Sequence, residues 1–527
     1  MAEGESLRNK TKKGLFWSAL ERFGTQGISA LFAIFLARLL SPEDYGLVAM
    51  PMVFLSLALC FIDSGFGSAL IRKPDLKDED ITTTFYFNII AGIVCYGILF
   101  CTSPLIADFY NAPILTDLLK VSALGMLIGS FCTVQQALLT KQIDFKRQAK
   151  ISLCASIVGG LIGVGLALSG FGVWALVFQA IFAQTVRAFL LWRTSTWRPH
   201  GRWSNESFHY LWNYGSKMLA SSILDTLYVN IYPIVIGKLF KPADLGNYTT
   251  ANHFASLPSS NITGVLQRVT FPVLSTIQND DERLARNYRK ILRLSAFIVF
   301  PLMMGLSSAG DPFVHVFLGD KWQGCIILLQ LACFYMMFYP IHAINLDLLQ
   351  VKGRSDLFLK LEIIKKLMGV AIMVIAIPHG IVVMVASGIV TSILALAINT
   401  YYTGQLINVG FFKQMRDIAP IFLIGMVMWS VIMIFNHYMQ NVYLALPCDI
   451  IIGVFIYVCC AKLFLKDDLR EIISMLPASI RGKLSGFVDT DELEKEYENV
   501  EFNPHSQEYT DPLREDVLHH VCHSFHE

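Results

Sequence analysis

ARLLSPEDYG at residues 37–46 returns as GKLFKPADLG at residues 237–246, and this repeat decides the fold. Four residue types recur at an offset of 200 residues: Leu39 and Leu239, Pro42 and Pro242, Asp44 and Asp244, Gly46 and Gly246. A cation precedes the leucine in each copy. Proline and glycine end one helix and allow another to begin, and aspartate can cap the new amino terminus. The motif therefore predicts a turn between two helices, made twice.

Two further matches extend the repeat. Residues 103–110, from Ser103-Pro104 to Phe109-Tyr110, are matched by residues 311–318 at an offset of 208. Leu138-Leu139 with Lys141 is matched by Leu348-Leu349 with Lys352 at about the same spacing. Three matches in the same order, with a slowly growing offset, predict a duplicated chain.

The composition is that of a polytopic membrane protein. Of the 527 residues, 54% are hydrophobic and 16% are charged, and the mean hydropathy is +0.52. These values exclude an ordinary soluble enzyme. The eleven cysteines lie almost all in apolar runs without a C-x-x-C spacing, so they indicate soft hydrophobic residues and no metal site.

Fourteen mostly apolar stretches are long enough to cross the roughly 30 Å hydrocarbon layer as helices. They begin near Gly14, Gly46, Phe85, Leu118, Ile151, Val173, Tyr214, Leu245, Ile291, Cys325, Leu361, Ile381, Ile418 and Val442. Alternate loops hold 24 lysines and arginines on one side of the membrane and five on the other. Since cytoplasmic loops carry the excess of basic residues, we expect both termini to be cytoplasmic. The alternative is a re-entrant segment, especially the stretch from Leu245 to Val265.

The repeat divides the chain into two lobes of six helices, because an even number of spans keeps both copies in one orientation. We expect an all-α protein with a cavity between the lobes. The predicted segments are a basic N-terminus at 1–13, an N-lobe at 14–192, an interfacial linker at 193–213, a C-lobe at 214–402, two appended helices at 403–465 and a cytoplasmic tail at 466–527.

The end of the chain is strongly acidic. From Phe487 on, the sequence has twelve acidic residues and two basic ones, so we expect the tail to be disordered. Its histidine-rich end, 519–526, could alternatively ligate a soft metal.

Polar residues recur at helical spacing inside three apolar runs. The first helix carries Ser18, Arg22, Gln26 and Ser29 in one stripe, with Glu21 next to Arg22 in the sequence. The seventh carries Lys217 and Asp225, and the eighth carries Asn252, Ser256, Gln267 and Arg268. Arg22 lies roughly 12 Å into its span at 1.5 Å per residue. An arginine at the centre of a span costs about 2.5–3.5 kcal/mol on insertion scales, so we expect Arg22 to face a wet cavity. The alternative is that these residues join packed helices.

Several short motifs are similar to those of the Wzx-like lipid-linked oligosaccharide flippases of the multidrug/oligosaccharidyl-lipid/polysaccharide (MOP) superfamily. They are Gly14-Leu15-Phe16-Trp17-Ser18, Leu36 to Gly46, Asp63-Ser64-Gly65-Phe66-Gly67 to Ile71, Phe109-Tyr110, Asp144-Phe145-Lys146, Gly172-Val173-Trp174-Ala175-Leu176, Gly237 to Tyr248, Phe271-Pro272-Val273-Leu274-Ser275, Leu318-Gly319-Asp320-Lys321-Trp322 and Gly353-Arg354-Ser355-Asp356. Their order and number carry the resemblance over residues 10–420.

The resemblance implies an alternating-access transporter of the bacterial inner membrane that moves undecaprenyl-pyrophosphate-linked oligosaccharides for the synthesis of capsule, O-antigen or exopolysaccharide. It implies membrane lipids and polymerase or assembly proteins as partners, and no cofactor, metal or nucleic acid. A pyrophosphate needs counter-charge in the membrane. We therefore expect Arg22, Arg268 and Lys217 to bind it, and Ser18, Gln26, Asn252, Ser256 and Gln267 to line the cavity. Glu21 and Asp225 are expected to serve ion coupling.

Three other classes stay open. A multidrug or cation antiporter of the related MATE type would share the fold, but it predicts a cavity of acids and aromatics. A membrane glycosyltransferase or polymerase would need a catalytic loop, and the sequence contains no glycine-rich nucleotide loop, nucleophile elbow or paired-carboxylate loop. A structural scaffold would have no use for Arg22 and Asp225 inside the membrane.

Overall fold

The computed structural model describes residues 2–439 and 441–475, and every regular element in this part of the chain is helical. The acidic stretch from Phe487 and the histidine-rich end at 519–526 lie outside the described residues. The first ten helices are α1 (Ala2–Leu39), α2 (Pro42–Asp63), α3 (Phe66–Arg72), α4 (Asp78–Tyr110), α5 (Leu115–Ser130), α6 (Thr133–Lys141), α7 (Phe145–Leu168), α8 (Val173–Thr194), α9 (Asn205–Val229) and α10 (Ile231–Leu239).

The remaining helices follow the second copy of the motif. They are α11 (Pro242–Thr276), α12 (Asp281–Ser308), α13 (Gly310–Phe313), α14 (Gln323–Met336), α15 (Tyr339–Val351), α16 (Ser355–Ala376), α17 (Ile381–Ile407), α18 (Phe411–Tyr438), α19 (Val442–Phe464) and α20 (Lys466–Met475). A π-helical segment, Val314–Leu318, follows α13, and 3₁₀ turns occupy Asp320–Trp322 and Ile377–His379. The all-α, multi-pass membrane fold predicted from the sequence is confirmed.

The described helices confirm fewer spans than the fourteen predicted. Nine helical segments are long and apolar enough to cross a membrane, and eleven if two bent pairs, α5 with α6 and α9 with α10, each form one span. The other three predicted spans correspond to α1, α11 and α16. The apolar part of α1 is the short stretch Phe23–Leu39, α11 carries the polar residues described above, and α16 contains several charges in its first half. The count of fourteen therefore stays a prediction.

The chain forms two compact units, the first comprising Met1–Thr250 with Phe317–Trp322 and the second comprising Ala251–Val316 with the residues from Gln323 on. In the first unit α1 packs on α7, α7 on α8, and α2 on α4, α5 and α9. Glycines on α7 allow these close contacts: a β carbon on Gly160 would lie 2.2 Å from the ring of Phe32 on α1. Small residues commonly permit such helix contacts in membranes.

The extended segment before α9 is bound to the amino-terminal end of α4. Trp197 donates its Nε1 proton to Asp78 at 2.8 Å, and the amide of Ser204 donates to the hydroxyl of Thr83 at 3.1 Å. Phe85 of α4 packs edge-on against Trp197, with 5.6 Å between the ring centroids. Since tryptophan combines a large apolar body with one donor, these contacts pack the two rings together and give the indole proton an acceptor.

In the second unit, α12 is the central helix and packs on α14, α15 and α18. Arg289 of α12 forms two 2.6 Å hydrogen bonds with the carboxylate of Asp417 on α18. One turn further on, Arg293 binds Asp468 of α20 at 3.0 and 2.5 Å. Such two-pronged arginine–carboxylate pairs are strong and directional. The helices that follow the predicted repeat are thus attached to α12 by ion pairs.

Candidate functional site

The repeated motif forms the predicted turn between two helices in both copies. Ser41 caps α2: its hydroxyl accepts the amide proton of Asp44 at 3.2 Å, and the Asp44 carboxylate accepts that of Ser41 at 2.9 Å. In the second copy, the carboxylate of Asp244 accepts the amide proton of Lys241 at 3.2 Å. A side chain that bonds the free amides of a helix start fixes where the helix begins.

The starts of α2 and α11 contact each other reciprocally in the first unit. A β carbon on Gly46 would lie 1.8 Å from the carbonyl oxygen of Pro242, and one on Gly246 would lie 1.8 Å from that of Pro42. Real β carbons do not approach other atoms so closely, so both positions require glycine. The duplicated motif is therefore also a contact between its two copies.

The polar residues of the first helix are partly described. The side chains of Arg22 and Ser18 lie outside the described part of the structure. Glu21, predicted to serve ion coupling, accepts a hydrogen bond from the Ser152 hydroxyl of α7 at 2.9 Å. The Oε1 atom of Gln26 is buried and has no hydrogen-bond partner among the described residues. The hydrogen bond of Glu21 joins α1 to α7, and the Gln26 oxygen is a buried acceptor without a donor in the described part of the chain.

Lys217 and Asp225 both lie on α9 with exposed side chains. Eight residues separate them, so they share one face of the helix. Neither Lys217 nor Arg268 forms an ion pair with a described residue, unlike Arg289 and Arg293 of α12. An exposed cation on a helix of the membrane domain has to face water or an anion, because lipid would not solvate it.

On α11 two of the predicted cavity residues, Asn252 and Gln267, bind neighbouring helices of the second unit. The Asn252 side-chain oxygen accepts a 2.6 Å hydrogen bond from the hydroxyl of Tyr335 on α14. Ser256 donates to the carbonyl of His253 in its own helix at 2.9 Å. Gln267 donates to both carboxylate oxygens of Asp347 on α15, at 3.0 and 3.2 Å. Arg268, the next residue, is exposed.

Sequence reasoning missed Asp347 and Tyr335. Asp347 is 6% exposed, and its only signal was a single carboxylate inside an apolar run. Buried carboxylates in membrane helices are expensive and often functional. The structure thus brings Gln267 and Asp347 together, and it places Arg22 with Lys217 in the first unit and Arg268 in the second. A common anion site made by these three cations stays a prediction.

The motif Gly353-Arg354-Ser355-Asp356 forms a charged clamp at the start of α16. Arg354 binds the carboxylate of Asp356 with two hydrogen bonds of 2.9 and 2.8 Å. These hydrogen bonds lower the pKa of the Asp356 carboxyl to about 2. Lys352 binds Asp281 at 2.5 Å next to this clamp. The two pairs are exposed, which suits a loop at the membrane surface.

The part of the chain that the structure describes contains no group of three or more histidine, cysteine, aspartate or glutamate residues that could hold a metal ion. The histidine-rich end lies outside that part.

The chain is similar to proteins named for polysaccharide biosynthesis and, in fold, to a lipid flippase. A family model described as polysaccharide biosynthesis protein matches residues 35–327. The lipopolysaccharide biosynthesis protein WzxC of Escherichia coli (strain K12) is 28% identical over 376 residues, which are 70% of this chain and 76% of WzxC. The teichuronic acid biosynthesis protein TuaB of Bacillus subtilis (strain 168) is 26% identical over 299 residues, 56% of this chain and 62% of TuaB.

Two solved structures have a similar fold. The lipid II flippase MurJ in an inward closed conformation has a TM-score of 0.68 at 15% identity, over 85% of this chain and 99% of MurJ. An inward-facing multidrug resistance transporter of the MATE family, in the MOP superfamily, has a TM-score of 0.56 at 15% identity, over 75% of this chain and 98% of that one. At this identity the likeness shows the fold alone. Because the family model spans more than half of the chain, the protein belongs to the polysaccharide biosynthesis protein family, as its resemblance to the Wzx-like flippases predicts.

Proposed function

We propose that the protein moves oligosaccharides linked to undecaprenyl pyrophosphate across the bacterial inner membrane by alternating access. The observation that carries the proposal is the pair of exposed cations, Lys217 and Arg268, on helices of the membrane domain. A pyrophosphate group cannot cross hydrocarbon without counter-charge. Cations that are not already neutralised by a protein carboxylate can supply it.

The polar residues suit the rest of such a cargo. Sugar hydroxyls need donors and acceptors, which Gln26 and Ser256 offer, while the lipid tail can remain in the bilayer. Arg22 would add a third positive charge from α1. We further propose that Glu21 or Asp225 couples transport to an ion, although the hydrogen bond from Ser152 gives Glu21 a structural role as well.

The fold alone does not separate this function from that of a multidrug antiporter, since transporters of the MATE family share it. The family match and the relatives named for polysaccharide biosynthesis favour a sugar-lipid cargo. The fold shared with the MurJ flippase and with a MATE transporter favours a transporter over an enzyme. We also propose that both termini are cytoplasmic, that the lobes follow the predicted boundaries at 14–192 and 214–402, and that polymerase or assembly proteins receive the cargo.

The experiment is a flipping assay with the purified full chain in proteoliposomes. A fluorescent undecaprenyl-pyrophosphate oligosaccharide is placed in the membrane, and its appearance in the opposite leaflet is measured by enzymatic access to the sugar. We expect faster movement than in protein-free vesicles, and competition by unlabelled lipid-linked oligosaccharide but not by cationic drugs. Drug transport without movement of the sugar lipid would establish the antiporter function instead.

A further inference from the structure

Two cations of the repeated motif each bind a backbone carbonyl of the other repeat copy. Nε of Arg38, in the first copy, donates to the carbonyl oxygen of Phe317 at 3.0 Å. Lys238 holds the equivalent place in the second copy, and its Nζ donates to the carbonyl oxygen of Phe109. Phe109 and Phe317 are themselves equivalent in the repeat. The two contacts are therefore related by the duplication, and each crosses from one copy to the other.

Both carbonyls lie where a helix ends. Phe109 is in the last turn of α4, which is followed by Asn111 at a φ of 54°. Phe317 is in the last turn of Val314–Leu318, which is followed by Gly319 at a φ of 93°. The last carbonyls of a helix have no donor within it and carry partial negative charge. Arg38 and Lys238 thus complete the hydrogen bonding of helix ends that belong to the opposite copy.

Other contacts support the first of these links. The Trp322 indole donates to the carbonyl of Ala37 at 2.8 Å, and its ring packs edge-on against Tyr45 with 5.1 Å between centroids. Phe317–Trp322 belongs to the first compact unit, although the residues on either side of it belong to the second. On the other link, Nζ of Lys238 also lies 4.8 Å from the centroid of the Phe109 ring.

We propose that Arg38 with Phe317 and Lys238 with Phe109 form a clasp that closes the extracytoplasmic end of the transport pathway and opens when cargo leaves there. The proposal rests on the proposed function and on the distribution of basic residues, which assigns Arg38 and Lys238 to the outer side. Both hydrogen bonds are exposed and end on neutral carbonyls. Breaking an exposed hydrogen bond to a neutral carbonyl leaves no buried charge unpaired, unlike breaking a buried ion pair. Such contacts can form and break in every transport cycle.

The test measures hydrogen exchange of the full chain in lipid nanodiscs for Arg38→Gln, Lys238→Gln and the double variant. Loss of Arg38 should raise exchange at 319–322 by at least about threefold and spare 111–115, because local opening sets the exchange rate. Loss of Lys238 should raise exchange at 111–115 and leave exchange at 319–322 unchanged. The control is Lys120→Gln, since Lys120 is an outer-side cation that lies over Phe100 in its own copy. Unchanged exchange at both segments would overturn the clasp.

Closure is tested separately with spin labels on unnatural amino acids at Glu43 and Lys241, which are exposed and lie in different copies. The double clasp variant should shift the label-to-label distances to longer values, and Lys120→Gln should not. Raised exchange with unchanged distances would mean that the contacts cap helices without closing a pathway, and the proposal would fail. Hydrogen exchange and label distances can be measured without transport. If the wild-type protein moves no sugar lipid in the flipping assay, that result refutes the proposed function and leaves the test of the clasp unaffected.

Discussion

Gln267 donates from one amide nitrogen to both carboxylate oxygens of Asp347, at 3.0 and 3.2 Å. The contact joins α11 to α15, and the carboxylate it serves is buried. A polar residue that the sequence assigns to a cavity wall thus also holds two helices of the second unit together. A buried acceptor that loses its donor retains the full cost of its desolvation.

We therefore expect Gln267→Leu to lower the free energy of unfolding by about 1–3 kcal/mol, because Asp347 loses its donor. Adding Asp347→Leu should recover part of that loss, so the two effects should not be additive. Thermal unfolding in detergent measures both. Ser256→Ala is the matched control on the same helix, because the Ser256 hydroxyl bonds only a carbonyl of its own helix among the contacts described. Additive losses in the double variant would contradict the contact.

Alanine at Gly46 or Gly246 should destabilise the protein by about 1–3 kcal/mol, since the added methyl group has to displace the facing proline carbonyl. The double variant should lose less than the sum, because one shift of the helix starts relieves both clashes. Gly97→Ala on α4 is the control: nothing lies within 4 Å of its β position. The helix propensity of alanine should make that variant as stable as the wild type or more so. Equal melting temperatures for Gly46→Ala and Gly97→Ala would refute the close contact.

The ion pair between Arg289 and Asp417 should anchor α18 to α12. Arg289→Leu leaves a carboxylate that is 4% exposed without its partner. We expect a loss of about 1–3 kcal/mol, below that of a fully buried pair because Arg289 is half exposed. The double variant Arg289→Leu, Asp417→Leu should regain much of the stability. Melting temperature and limited proteolysis between α17 and α18 give the readout, and an unchanged melting temperature in Arg289→Leu would exclude the anchoring role.

If Arg22 and Arg268 neutralise a pyrophosphate, charge should matter more than shape. Arg→Lys at either position should keep part of the flipping activity per inserted molecule, and Arg→Gln should lose most of it with a near-normal melting temperature. A packing role predicts the opposite: losses of activity and stability would run in parallel. Full flipping by the double variant Arg22→Gln, Arg268→Gln would refute the cationic site and leave Lys217 as the next cation to test.

The distribution of basic residues predicts the topology. A reporter fused after Lys150 or Arg202 should be cytoplasmic, and one inserted in the loop between Asn111 and Asp117 should be on the outer side. Paired alkaline phosphatase and fluorescent protein fusions at each position read both compartments. Exchanged results would overturn the orientation, and with it the side to which the clasp is assigned.

The motif at 37–46 and 237–246 predicted the helix turns because proline, aspartate and glycine act through the local backbone. The cap made by Asp44 and the helix start at Pro242 follow directly from residue type. Helical periodicity likewise placed Asn252 and Gln267 on α11. Periodicity shows which residues share a helix face, but it does not show which helix packs against that face. Tyr335 and Asp347 therefore could not be predicted as the partners of Asn252 and Gln267.

Span number was less predictable for a related reason. A span is recognised by the absence of polar groups, yet α11 and α16 carry many of them. Whether such a helix crosses the membrane depends on which neighbours shield its polar face, and this is a property of packing that a single sequence does not contain. The ion pairs of α12 could not be predicted either, because partners such as Arg289 and Asp417 are 128 residues apart in the sequence.

The mutual contact of Gly46 with Pro242 and of Gly246 with Pro42 also bears on the history of the chain. A duplicated segment is usually free to diverge in sequence, because each copy is constrained only by the residues that pack around it. Here the two copies pack against each other, so each copy restricts which residues the other can carry at the contact. Neither glycine can be replaced without a clash with the backbone of the other copy, and this is a physical reason for the motif to stay recognisable at both places.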